Sequence, residues 1–450
     1  MKTVRIGSGA GYAGDRIEPA IDLMEKGNLD YIIFECLAER TISIAQKRRN
    51  ENPLLGYNDL LEYRFDKILD VLSHEKVGVV TNMGAANPEA GAKKVMEMAK
   101  EKGIEGLKIA WVSGDDVGNH LEDYKEYVTI ETNDKLSAIK GEILAANGYI
   151  GCKGIVEALN MGADIVITGR VADPSLTLGI LVHEYGWDMD DYIRLGRGTA
   201  VGHLLECAGQ VTGGYFDDCD KKKVSDLWNL GFPIAEVSED GNCKISKLEN
   251  VGGIVTIDTV KEQLIYELID PENYFTPDVV ANFANIHLTQ VEKNVVLVEN
   301  ASGKEPNHFY KTSVGYHDCY IGIGEISYGG YKCIERANLA AEILKKRFEV
   351  TKLNLEETRY DLVGVNSLYG NEISRNINKV TTPTEVRLRV SGRSTNYYDA
   401  RRVGEEVEAL YTNGPFGGGG VDKTVKNIVS IASILVPADE FTIKAHMLEE

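Results

Sequence analysis

The sequence predicts an α/β protein. A parallel βαβ domain of the doubly wound type comes first, and an α+β portion follows, sharing a cleft with it. Three observations predict this. Short β-branched runs alternate with amphipathic stretches through the first third of the chain, the rhythm of a parallel sheet. The runs end in Gly, Ser, Asn or acidic residues. After about residue 215 alternating runs continue with fewer helices between them. At about 150 residues per domain, 450 residues suit three domains or two larger ones.

In order, Val4–Ile6 precedes a helical stretch at Ile17–Met24, Tyr31–Phe34 one at Ala38–Arg48, and Val77–Thr81 one at Ala90–Lys100. Leu107–Val112 is a fourth strand. Asp164–Thr168 followed by Pro174–Glu184 makes a fifth unit, its helix closed by His183. The expected domains are residues 1–215, whose strand-end loops form the site, and residues 216–450. In the second, alternating runs stand at Gly253–Thr259, Val295–Val298, Thr312–Tyr316, Ile321–Ser327, Tyr360–Val365 and Glu385–Ser391. Gly404–Tyr411 reads as a helix that ends at the Gly-rich loop 413–420.

Composition narrows function. Lys and Arg total 49 against 69 Asp and Glu, a net charge of −20, which repels a phosphate backbone, so no nucleic-acid partner is expected. No apolar run approaches the roughly 20 residues that span a bilayer, and MKTVRIGSG has no signal-peptide character, so a cytoplasmic location without a membrane partner is expected. The seven cysteines are widely spaced with no CxxC, which argues against a disulfide framework or zinc knuckle.

The strand-end motifs carry the chemistry. GSGAGYAGDR after the first strand supplies Gly7, Ser8, Gly9 and Gly11, with Asp15 and Arg16 beyond. It suits a phosphate or carboxylate grip by Ser8 and loop amides; a dinucleotide turn and a purely structural turn remain alternatives. Glu35 and Glu39 fall on one face if the second helix starts early, and two close carboxylates would split into an acid and a base. In TNMGAANP, Asn82, Gly84 and Asn87 suit an oxyanion or carboxylate, although Asn87 equally suits a helix cap. Arg170 and Asp173 stand in TGRVADPS, where a guanidinium at a strand end requires an anionic partner, from substrate or from Asp173, although Asp173 equally suits a helix cap before Pro174. His203, Glu206 and Cys207 share a helical face, as a proton relay with Cys207 a nucleophile if its thiol is activated, an incomplete metal corner or a structural trio. Asn413 and Gly417, Gly418 and Gly419 in NGPFGGGG suggest a lid or anion cradle, whereas EISYGG near Glu325, the turn near Asn366 and RVSGR near Arg393 equally suit tight turns. No motif requires a cofactor, which stays unknown, and no metal site is expected.

Together GSGAGYAGDRIEPA, YIIFECLAERT, TNMGAANP, ADIVITGRVADPSLTLG, GHLLECAGQVTGGYF, GEISYGG, DLVGVNSLYG and YTNGPFGGGG resemble the acyclic terpene utilisation family (AtuA) from about residue 3 to about residue 436. The resemblance implies a place in the catabolism of branched acyclic terpenoids through acyl-CoA thioesters. It also implies a small ferredoxin-like partner subunit, because longer relatives carry such a domain after this core. The combined expectation is an enzyme that hydrates, dehydrates or isomerises a small anionic substrate, a branched carboxylic acid or its CoA thioester. Glu35, Arg170, Asp173, His203, Glu206 and Cys207 would be catalytic, and the chain a homo-oligomer. The alternative is a non-catalytic acyl-CoA-binding or scaffold subunit that docks the ferredoxin-like partner.

Overall fold

Five parallel strands form the centre of a ten-stranded mixed sheet in the computed structural model, which describes residues 2–377 and 383–448. The chain runs through β1 (Thr3–Ala10), β2 (Tyr31–Phe34), β3 (Gly78–Thr81), β4 (Ile109–Ser113), β5 (Ile143–Gly148) and β6 (Ile165–Ile167). β7 (Pro233–Ser238), β8 (Cys243–Lys247), β9 (Tyr274–Phe275), β10 (Val280–Asn282), β11 (His287–Glu292), β12 (Val295–Glu299) and β13 (Ser302–Lys304) follow. The last are β14 (Phe309–Gly329), β15 (Glu357–Val363), β16 (Glu385–Ser394), β17 (Gly418–Pro437) and β18 (Lys444–Met447). The large sheet has the order β11-β12-β8-β7-β1-β2-β3-β6-β4-β18. Within it β1, β2, β3, β6 and β4 are parallel neighbours. β7 and β18 join antiparallel on the two sides.

The helices that matter for the site are α1 (Glu18–Lys26), α2 (Glu39–Glu51), α3 (Leu61–Leu72), α4 (Pro88–Glu101), α5 (Leu121–Tyr124), α6 (Lys153–Asn160), α7 (Ser175–Tyr185), α8 (Tyr192–Leu205) and α9 (Ile257–Ile265). Strands covered on both faces are apolar at consecutive positions, and Ile32, Ile33 and Phe34 are all fully buried. Ile33, Val80 and Val166 face one core with residues of α6, α7 and α8. Ile32, Phe34, Val79 and Ile165 face the other, with residues of α1, α3 and α4.

Two compact units result. The first comprises residues 1–139, 143–315 and 431–450, and the second residues 140–142 and 316–430. This division differs from a boundary at 215, because β7, β8, β11 and β12 extend the β1 side of the same sheet. In the second sheet, of order β15-β16-β14-β17, β16 pairs antiparallel with both β15 and β14. Val386, Leu388 and Val390 of β16 face a core with residues of the helices α10 (Cys333–Val350) and α12 (Tyr397–Glu408), α11 (Gly370–Ile377) lying between these in sequence.

Three expectations are corrected. The run Gly253–Thr259 is not a strand. Thr256 caps α9, its Oγ accepting the Thr259 N–H at 3.2 Å while Thr259 Oγ accepts the Thr256 N–H at 3.0 Å, and this reciprocal cap overrides the β-branched pattern. Thr312–Tyr316 and Ile321–Ser327 are one continuous strand, β14. The Gly-rich loop 413–420 is only partly a loop: Asn413 ends the short helix α13 (Leu410–Asn413), with Nδ2 donating to the Ala409 carbonyl at 3.0 Å. Gly418 and Gly419 open β17, and a Cβ at Gly418 would come within 2.9 Å of Ile326 and 3.1 Å of Tyr328. Gly418 therefore admits close packing beside β14, whereas Gly419 faces open space. Among the described residues no helix is long and apolar enough to cross a membrane.

Candidate acid–base site at the strand ends

The loop after β1 turns its donors inward. The Asp15 carboxylate accepts the Gly11 N–H at 2.9 Å and the Arg16 N–H at 2.8 Å, so an internal anion takes the amide expected to grip an external one. Ser8 is fully buried, and its Oγ has no hydrogen-bond partner among the described residues. The glycines answer to the chain's own packing: a Cβ on Gly7 would strike Leu29 at 2.6 Å, on Gly9 the Phe34 ring at 2.4 Å, and on Gly11 the Cys207 backbone at 2.5 Å. Gly7, Gly9 and Gly11 therefore have a structural cause. Arg16 donates to the Trp228 carbonyl at 3.2 Å and lines a separate cleft with Trp228.

Glu35 follows β2 and is 7% exposed. Its Oε1 accepts from the Leu37 N–H and from Asn82 Nδ2, both at 2.9 Å. Asn82 Oδ1 in turn accepts the Cys36 N–H at 2.7 Å, so Asn82 orients the carboxylate rather than facing an oxyanion. Burial pushes Glu35 up to about 8, and the Asp173 charge adds to this while Arg170 opposes it. The expected Glu35–Glu39 pair on one helical face does not form, because α2 begins only at Glu39. Glu39 instead accepts from Tyr149 Oη at 2.8 Å and Lys311 Nζ at 2.6 Å.

Arg170 follows β6 and is fully buried. Its Nη2 contacts Asp173 Oδ1 at 2.6 Å, its Nη1 donates to the Leu37 carbonyl, and its guanidinium lies 4.0 Å from the Tyr149 ring centre. The Asp173 side chain is 35% exposed and gives the cluster its opening. Asp173 does not cap α7, which starts at Ser175, one residue beyond the expected first position. Burial raises the Asp173 carboxyl against the pull of Arg170. The Arg170 N–H donates at 2.8 Å to Asp115, a buried carboxyl pushed up to about 6 by burial. Gly84 is required nearby, since a Cβ there would meet the Thr168 carbonyl at 2.5 Å.

His203 lies near the end of α8, buried against Tyr274 and Phe283 at ring distances of 5.2 and 5.5 Å. Its Nδ1 is 2.7 Å from Glu206 Oε1, while Glu206 Oε2 is buried with no hydrogen-bond partner among the described residues. Burial pushes Glu206 up to about 7 against the pull of His203. Burial opposes the imidazolium, but the Glu206 charge and hydrogen bond outweigh it and raise His203. Cys207 is pushed up to about 12 by burial, the opposite of an activated thiolate, so its expected nucleophilic role is not supported. Asp173 and Glu35 both act on Cys207, and Asp173 on Glu206, which places the His203 pair and the Arg170 cluster in one electrostatic neighbourhood. Among the described residues no group of three or more His, Cys, Asp or Glu is placed to hold a metal ion.

Asn87 is a structural residue. Its Oδ1 accepts the Ala90 N–H at 3.3 Å as the cap of α4, and its Nδ2 donates to the Pro53 and Leu55 carbonyls, each at 2.8 Å. Asn87→Ala should cost about 1–3 kcal/mol in urea denaturation, from the lost cap and two carbonyls left unpaired. A cost below about 0.5 kcal/mol would contradict this assignment. Asn413, Gly417, Gly418 and Gly419 belong to the second unit. Tyr149, Lys311 and Asp115 were not singled out from sequence. Asp115 had a signal in SGDD after β4, but nothing local marks Tyr149 or Lys311, which reach Arg170 and Glu39 only through the fold.

The arrangement is an open α/β sheet with a buried ionisable cluster at the carboxyl ends of its parallel strands. The chain belongs to the acyclic terpene utilisation family AtuA, whose family model matches residues 4–447. Neither the curated proteins nor the solved structures compared with it give a match.

Proposed function

We propose that the chain is an enzyme of acyclic terpene utilisation that moves protons on a branched carboxylic acid or its CoA thioester, by hydration, dehydration or isomerisation. The observation that carries this reading is that two buried carboxyls, Glu35 beside Asn82 and Glu206 beside His203, are pushed up to about 8 and about 7, each with the Asp173 charge adding to the effect of burial. Such values let a carboxyl group hold or release a proton near neutral pH, the condition for general acid–base work. Arg170 and the more open Asp173 set the electrostatics at the mouth, and Tyr149 holds the guanidinium plane. His203 shares the Glu206 proton through Nδ1.

The test is solvent exchange, which reads the proton transfer itself whatever product forms. Purified protein in D2O with branched acids and their CoA thioesters should incorporate deuterium beside the carbonyl, read by mass spectrometry. Glu35→Gln should remove exchange without lowering the melting temperature at neutral pH, because the amide replaces a protonated carboxyl of the same shape and, unlike it, releases no proton on unfolding. Undiminished exchange in that variant removes Glu35 from the mechanism. Tight binding of the thioesters with no exchange in either protein would favour the acyl-CoA-binding subunit.

A further inference from the structure

We infer that the cleft between α2 and the loops after β1, β2 and β3 holds the hydrocarbon chain of the substrate, an inference that rests on the acid or thioester reading above. The cleft has a volume of about 280 Å³. Its apolar lining includes Ala13, Leu37, Ile44, Ala45 and Ala85, with Gly14 leaving further room.

The polar side chains on its walls already have partners. Thr41 Oγ accepts the Ala38 N–H and donates to the Ala38 carbonyl, both at 2.8 Å. Tyr57 Oη donates to Glu62 at 2.8 Å. Asn58 donates to the Cys36 carbonyl at 3.2 Å and accepts the Leu60 N–H at 2.8 Å. Arg48 is paired with Asp59. A polar head placed here would have to displace these hydrogen bonds or compete for the exposed Arg48–Asp59 pair, whereas a hydrocarbon loses nothing by leaving water. The cleft therefore selects a chain and leaves recognition of the carboxyl end to other residues.

Leu37 connects the two. It lines the cleft, its N–H donates to Glu35, and its carbonyl accepts from Arg170. A chain resting on Leu37 thus lies one residue from the groups that would act on its carboxyl end. At about 30 Å³ per non-hydrogen atom, the cleft takes about nine such atoms.

The experiment is calorimetric binding of branched acids and thioesters graded from about four to about twelve carbons. Affinity should rise about fourfold per added methylene up to about nine atoms and then level off. Ala45→Phe fills the cleft from α2 and should weaken the longest ligands at least tenfold while sparing the shortest. Ile44→Trp, at a rim position 41% exposed, should act in the same direction without disturbing the core. Binding that ignores chain length, or length dependence unchanged in both variants, overturns the inference. So does a concentration-dependent dimer that Ile44→Trp disrupts, which would give the cleft to a second copy of the chain. Proton exchange on short acids without any length dependence would sink the cleft assignment alone. Length-dependent binding without exchange on any ligand would sink the enzymatic reading and leave the cleft in place.

Discussion

Arg170→Met should lower folding stability by about 3–5 kcal/mol, the usual cost of stranding the partners of a buried charge. Four groups lose their counterpart at once: Asp173, the Leu37 carbonyl, the face of Tyr149 and Glu35, whose ionised form the guanidinium favours. Deuterium exchange should disappear with it. Arg170→Lys should rescue little of either property, since an ammonium cannot reach Asp173 and the Leu37 carbonyl together while lying flat on Tyr149. Urea denaturation of both variants checks this. A loss below about 1 kcal/mol in Arg170→Met would mean that Asp173 and Glu35 accommodate each other without the guanidinium.

The second large effect concerns pH. Glu35 is raised from its ordinary 4.5 to about 8, so the folded chain keeps a proton that the unfolded chain releases. The stability this contributes is fully present below about 4.5 and is lost as pH rises toward about 8. Glu35→Gln has no such proton to lose. Its stability relative to the parent should therefore climb across that window by up to about 1.4 kcal/mol per pH unit and then level off. Glu206 titrates in both proteins and cancels from the difference. Parallel stability curves for the two proteins would show that Glu35 is already ionised in the fold.

The parallel centre of the sheet was legible because its strands are buried on both faces and carry their apolar residues consecutively. Tyr31–Phe34 matches β2 residue for residue. The strand ends were legible for the same reason, as the places where apolar runs give way to GSGAG, ECLAER, TNMGAANP and GRVAD. Arg170 with Asp173 and His203 with Glu206 are three residues apart, so local spacing alone brought each pair to notice. Less visible was anything set by distant contacts. Asn82 and Asn87 look equivalent in sequence, yet one holds Glu35 and the other caps α4 and ties down Pro53 and Leu55. The glycines of the first loop suggested a ligand, but the space they leave is filled by Leu29, Phe34 and Cys207. The NGPFGGGG segment misled because glycine signals a loop wherever the strand it starts cannot be seen.

β18 covers β4 on the edge of the large sheet, and there the His446 ring stacks on Trp111 at 4.0 Å with Nε2 2.9 Å from Ser113 Oγ. Ser113 and His446 are 333 residues apart. At about 5–20 residues per second, a ribosome needs about 20–70 s to travel that distance. For all that time the nascent β4 presents unpaired backbone groups, while residues 316–430 emerge and can assemble their own sheet. The vulnerable period in the life of this protein is thus its synthesis, and a ribosome stalled before residue 444 would release a chain with an open edge ready to pair with its neighbours.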